Sequence, residues 1–316
     1  MIDGHTLYGI LLGGKEVGEE GSGKPLVIRD GLDVDELARQ FDCVDGHVSN
    51  RITRQLDRPE KGPASAQITL EKMTLTPEGS TPVPPTFRSQ IRSIEDLHGP
   101  AGRLEALLNT GRDDAPFSAL VCHPHPAGGG TMHNKVVYHA MKALSSFGLP
   151  VLRFNFRGTG LSEGEHDNGN GEQHDVRAAL SWLEHNFRRP ILFAGFSFGS
   201  QVGMRACCGD VRVKGLIGLG LPVHAAGRDY KYEFLPKCVA PKLFISGDHD
   251  EFGPHEMLAD VWESAPEPKR LVWIGGADHF FQGTKESPGA KLGLMQTEIH
   301  LWIQETFGLA GPAKLL

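Results

Sequence analysis

The chain has 316 residues, 39% hydrophobic and 22% charged, enough apolar material for one large domain plus a small one or for two modest domains. Its 32 basic and 39 acidic side chains give a formal charge of −7 with no basic run, which argues against a nucleic-acid or anionic-membrane partner. No stretch approaches the roughly 18–20 apolar residues that span a bilayer, and the short apolar run 7–12 follows Asp3 rather than a basic cluster, so no signal peptide is expected.

Five cysteines, Cys43, Cys122, Cys207, Cys208 and Cys238, form neither an even framework nor a metal-ligand spacing. They read as buried thiols in a reducing cytoplasm, which is the expected location.

The first 88 residues carry possible strands at 6–12, 26–29 and 67–75 and one short helix at 33–41 with Asp33 as its N-cap. No motif marks this α+β extension, and its 10 basic and 14 acidic residues again speak against nucleic acid. Prolines at 77, 82, 84 and 85 make 76–87 a stiff, extended linker or strap, so a boundary is placed between 88 and 89.

Beyond residue 90 the pattern becomes regular. Strands are predicted at 117–122, 151–156, 191–196, 213–219, 242–246 and 270–274, and helices at 134–147, 172–187, 198–208, 254–264 and 291–306. In the first of these helices Val136, Val137, Ala140, Met141, Leu144 and Phe147 share one face. Continuously apolar strands alternating with amphipathic helices predict an α/β fold, a mostly parallel sheet covered on both faces.

The strand 117–122 runs into His123-Pro124-His125-Pro126-Ala127-Gly128-Gly129-Gly130, a turn able to offer a backbone amide to a developing oxyanion. Pro124 and Pro126 have no N–H, so the donor falls to His125, Ala127 or a nearby glycine, with His125 preferred. The side chains of His123 and His125 read as shaping the loop rather than transferring protons. The loop 157–164 comes after the next strand, and Arg157 is expected to brace it through Asp175 or Glu172.

Gly195-Phe196-Ser197-Phe198-Gly199 directly succeeds an apolar run. A Gly-x-Ser-x-Gly between a buried strand and a helix makes a turn so tight that only small residues fit beside the serine, and it lifts the hydroxyl clear of the sheet. With 40 glycines in the chain, the pentapeptide alone is a weak signal. Its weight comes from two later loops. A serine hydroxyl needs a base, and the base needs an orienting carboxylate. The strand 242–246 runs into Gly247-Asp248-His249-Asp250, and the strand 270–274 leads to Asp278-His279-Phe280-Phe281. The order Ser197, then Asp248 or Asp250, then His279 is that of hydrolases built on such an elbow. The amide of Phe198 would be the second oxyanion donor. His133, His139, His249 and His255 read as solvent-facing or structural.

On the strength of these residues, the chain resembles the α/β-hydrolase superfamily over about 92–316, and in particular small bacterial hydrolases related to dienelactone hydrolases and prolyl-oligopeptidase-like catalytic domains. The likeness rests on 123–131, 156–164, 195–199, 247–254 and 276–281. The family's Gly-x-x-Asp-x-x-x-Pro implies Asp250 as the acid rather than Asp248. Only about 20 residues separate Leu219 from the strand at Lys242, where larger relatives insert a helical cap. The resemblance therefore implies a lidless serine hydrolase with a shallow site for small or flexible esters or amides and with no cofactor or metal. Homo-oligomerisation, esterase against peptidase or acyltransferase action, and the natural substrate are left open. A non-catalytic binding protein on this fold is the main alternative. A metal-dependent hydrolase, suggested by His123-x-His125 and Asp248-His249-Asp250, is a weaker one.

Overall fold

Alternation of apolar strands and amphipathic helices builds one large sheet in the computed structural model, which describes residues 26–28, 51–56, 66–71, 89–225, 227–285 and 288–311. The chain divides into two compact units, Met1–Pro84 and Pro85–Leu316. In the first unit, Leu26–Ile28 and Arg51–Leu56 both pair antiparallel with a central strand, Ala66–Glu71. The expected strand at 6–12, helix at 33–41 and linker at 76–87 lie outside the described residues.

The second unit holds eight strands in one sheet: β1 (Ile91–Ile94), β2 (Ala106–Asn109), β3 (Ser118–Cys122), β4 (Val151–Phe154), β5 (Ile191–Phe196), β6 (Val213–Leu219), β7 (Lys242–Gly247) and β8 (Lys269–Ile274). Their spatial order is β1-β2-β4-β3-β5-β6-β7-β8. The six strands from β4 to β8 run parallel, while β2 is antiparallel to both of its neighbours. Every residue of β3, β5 and β7 is buried, as a sheet covered on both faces requires. The exposed pattern of β1 marks it as an edge.

Side-chain alternation splits the core in two. Ala119, Val121, Leu192, Ala194 and Phe196 pack against α1 (Lys135–Ser145) and α5 (Leu292–Phe307). Leu120, Cys122, Ile191 and Phe193 face the other way, toward α2 (Gly171–Phe187), α3 (Phe198–Cys207) and α4 (His255–Ser264). Helix α1 starts where the Asn134 side chain accepts a hydrogen bond from the Val136 amide at 2.9 Å, and it buries the predicted stripe except Phe147, which lies beyond the helix and is half-buried. Gly308, at φ 65°, ends α5 in the left-handed conformation that suits glycine. Phe154, Phe156, Phe193 and Phe196 are fully buried, and truncating any one to alanine should cost about 3–5 kcal/mol.

Three features depart from the sequence reading. Arg51–Leu56 forms a strand that is not among the predicted ones. β1 and β2 are additional to the predicted strands, and each is only four residues long. Cys208 and Cys238 are joined as a disulfide, with their Cα atoms 5.0 Å apart, whereas Cys122 and Cys207 are buried free thiols. Reading all five cysteines as free thiols therefore fails for this pair. Among the described residues no helix is long and apolar enough to cross a membrane.

Candidate active site

Because β3 to β8 run parallel, the loops leaving their C-terminal ends share one rim of the sheet, where open α/β sheets place their ligand sites. Ser197 sits between β5 and α3 with φ 54° and ψ −123°, a backbone conformation seldom taken by a residue with a side chain. Backbone contacts hold it there. Its amide donates to Leu219 O at 2.9 Å, and its carbonyl accepts from Ser200 Oγ at 2.6 Å. A side chain at Gly195 would strike the Gly199 carbonyl, and one at Gly199 would strike the backbone of Cys122 and His123. The two glycines are therefore required by close approach of main chains.

Three side chains distant in sequence meet at this rim. Ser197 Oγ lies 2.9 Å from His279 Nε2, and His279 Nδ1 lies 2.9 and 2.8 Å from the two carboxylate oxygens of Asp250. All three residues are buried. Phe196, Phe252 and Phe280 surround the imidazole, with ring centroids 5.0, 4.5 and 5.2 Å away. The geometry separates the two candidate acids. Asp250 also accepts from the amides of Phe252 and Gly253, at 2.9 and 3.3 Å. Asp248 is exposed, accepts from the Ala277 amide at 3.3 Å and makes no hydrogen bond to the ring of His279. Asp278 accepts from the amides of Phe280 and Gln282, a local turn role.

The loop after β3 uses most of its amides internally. Gly128 and Gly130 donate to His125 O, Gly129 to Pro126 O, and Ala127 to the ring Nδ1 of His125. Within 124–130 this leaves the His125 amide as the one N–H with no acceptor among the described residues. The Phe198 amide, first in α3, likewise has none, as expected of a helix N-terminus.

The two loop histidines act as struts. His123 is fully buried; its Nδ1 donates to Pro124 O at 2.7 Å and its Nε2 accepts from the Phe156 amide at 2.9 Å, so both ring nitrogens are committed to backbone. Burial pushes its pKa down to about 4, which keeps the ring neutral. His125 is also pushed down to about 4, by burial first and then by Arg228 and His166. With Nδ1 accepting from Ala127, the proton of the neutral ring sits on Nε2, which is buried and has no hydrogen-bond partner among the described residues. Arg157 clamps Asp175, as one of the two expected partners, with Nη2 to Oδ1 at 2.7 Å and Nε to Oδ2 at 3.0 Å. Elsewhere, His139 meets Gln296 at 2.7 Å and His255 stacks on Trp273, both away from Ser197.

Comparison with known proteins agrees with this architecture. A family profile described as the alpha/beta hydrolase domain matches residues 117–305. The chain belongs to the alpha/beta hydrolase family. An uncharacterized protein of Rickettsia prowazekii is 36% identical over 193 residues, which cover 59% of this chain and 81% of that protein. Among solved structures, an alpha-beta serine hydrolase homologue from Coxiella burnetii is 34% identical with a TM-score of 0.57, covering 67% of this chain and 96% of its own. XC6422 of Xanthomonas campestris, described as an a/b serine hydrolase without lid, is 31% identical with a TM-score of 0.58, covering 73% of this chain and 100% of its own.

The sequence reading missed the aromatic rings around His279 and a pocket lined by Phe198, Gln201, Arg205 and Arg228. The first was signalled by Phe252 and Phe280, which stand within two residues of the acid and the base. The second was half signalled, since Gln201 and Arg205 recur at helical spacing from Ser197.

Proposed function

We propose that this alpha/beta hydrolase is a serine hydrolase that cleaves carboxylic esters or amides of small or flexible substrates through an acyl-enzyme on Ser197. The observation that carries the reading is the unbroken line from Ser197 Oγ through the imidazole of His279 to Asp250. His279 Nε2 takes the serine proton as Oγ attacks the carbonyl carbon. Asp250 holds the ring with its other proton on Nδ1 and stabilises the imidazolium that forms. The carbonyl oxygen, now an oxyanion, accepts from the amides of Phe198 and His125. Collapse of the tetrahedral adduct expels the leaving group, which takes the proton from Nε2. Water then repeats the sequence on the acyl-serine and releases the acid.

A connection of only 22 residues between β6 and β7, from 220 to 241, leaves little chain for a helical cap and favours small or flexible substrates. The Xanthomonas relative, described as having no lid, supports the same reading. Against the metal alternative, His123 has no free ring nitrogen for a ligand. Against a non-catalytic role, nucleophile, base and acid stand within hydrogen-bond reach of one another. A fluorophosphonate probe should label the wild type and leave Ser197→Ala unlabelled; equal labelling of both would remove the assignment.

A further inference from the structure

A pocket of about 170 Å³ shares Phe198 and His125 with the site but is not lined by His279, and its chemistry is not used by the proposed reaction. Its walls come from His125, from Asn168 and Gly169, from helix α3 and from the segment 228–231. Helix α3 contributes Gln201 and Arg205, and the short hairpin that pairs His224–Ala225 with Arg228–Asp229 contributes Arg228 and Lys231. Gln201 Nε2 donates to Lys231 O at 2.8 Å and thereby pins the hairpin across the helix.

Charge in this pocket is one-sided. Arg205, Arg228 and Lys231 line it as exposed side chains, and Lys231 also acts electrostatically on Asp229. The single acid in the lining, Asp229, is engaged by His224 Nδ1 at 2.8 Å. His125 adds a neutral donor, since its buried Nε2–H points to no acceptor among the described residues. Three solvated cations and one buried, unpartnered N–H around one small cavity give it a positive potential that suits an anion.

The position is equally informative. Phe198 and His125, whose amides would hold the oxyanion, both line the cavity, whereas His279 and the rings of Phe252 and Phe280 do not. The leaving group must face the imidazole that protonates it, so a cavity that shares the two amide-bearing residues but not the imidazole suits the acyl portion of a substrate better than the leaving group. Gln201 and Arg205 come four and eight residues after Ser197 on α3, so the donors stand roughly 6–12 Å along the helix from the nucleophile.

Resting on the proposed hydrolase reading, we propose that this pocket is an acyl-side subsite for an anionic group, and that the preferred substrate is an acyl ester or amide bearing a carboxylate or phosphate a few carbons from the carbonyl. Arg205 and Arg228 are binding residues for that charge and take no part in bond cleavage.

The test compares p-nitrophenyl butyrate with the mono-p-nitrophenyl ester of glutaric acid, in wild type, Arg205→Gln, Arg228→Gln and the double variant. The wild type should favour the charged ester by about tenfold or more in kcat/KM at low salt, with the preference shrinking as salt rises. The double variant should lose about tenfold on the charged ester, mainly in KM, and stay within twofold on the neutral one, while Arg228→Lys retains most of the preference. Free glutarate and inorganic phosphate, tried as competitors, separate the two sources: inhibition by one alone assigns that anion. Equal use of both esters by the wild type, or equal losses on both in the double variant, would overturn the subsite while leaving the serine chemistry standing. Absence of fluorophosphonate labelling would instead remove the underlying reading.

Discussion

Asp250 straddles Nδ1 of His279, with its two carboxylate oxygens 2.9 and 2.8 Å away, and backbone amides on the next turn of chain lock that carboxylate in place. An amide in the same position would present an N–H to the ring and favour the wrong tautomer. Asp250→Asn is expected to lower kcat on p-nitrophenyl acetate by roughly 10⁴-fold with little change in KM. Asp248→Asn should stay within about threefold, because its carboxylate makes no hydrogen bond to the imidazole.

The backbone at Ser197 makes a second prediction. With φ at 54°, the residue sits where a Cβ is unfavourable, a cost of about 1–3 kcal/mol that glycine does not incur. Ser197→Gly should therefore be more stable than Ser197→Ala by about 0.5–2 kcal/mol, after the larger chain entropy that glycine loses on folding is set against the relief. Urea titration of the two inactive variants measures the difference directly. Equal midpoints would show that the turn is unstrained.

His123 should make the fold sensitive to acid. Its pKa is lowered from 6.5 to about 4 by burial, so the unfolded chain binds a proton that the folded chain refuses between those values. Stability is then fully retained above about pH 6.5 and falls as the pH drops toward 4, by about 3 kcal/mol for this group alone. His123→Gln keeps a side-chain amide near the Phe156 N–H but cannot titrate. It is expected to flatten that part of the stability–pH curve, even if it is less stable at pH 7.

Arg157 and Asp175 form a pair of which the carboxylate is wholly buried. Removing only the cation leaves that charge stranded, so Arg157→Ala should cost about 3–5 kcal/mol. Adding Asp175→Asn to Arg157→Ala should recover part of the loss, which a double-mutant cycle in denaturant reads out. A simple sum of the two single effects would mean that the pair is not coupled.

Much of the second unit is legible in the sequence because its signals are local. The six parallel strands are mostly apolar runs, and the helices carry one-sided stripes, so the predicted and observed bounds differ by only a few residues. The elbow at Ser197 is readable because glycine is forced on both sides of it by main-chain contact. What stays hidden depends on tertiary placement. Strands β1 and β2 are too short to show a period. The choice between Asp248 and Asp250 turns on which way a loop carries two carboxylates two residues apart. The link between Cys208 and Cys238 spans 30 residues and is fixed by where α3 and β7 lie, not by spacing. The basic pocket joins a helix face to a hairpin, and the sequence of 220–241 shows the length of that connection but not its path.

The close approach of Gly199 to the main chain at Cys122 and His123 has a consequence for how such a protein can change. Any side chain at 199 would push the start of α3, which carries the Phe198 amide, away from the main chain at Cys122 and His123, which leads to the His125 amide. Residues that select the substrate can then be exchanged freely around a fixed pair of donors. A laboratory selection for a new acyl group should gather its changes at Arg205, Arg228 and Lys231, and leave 195 and 199 untouched.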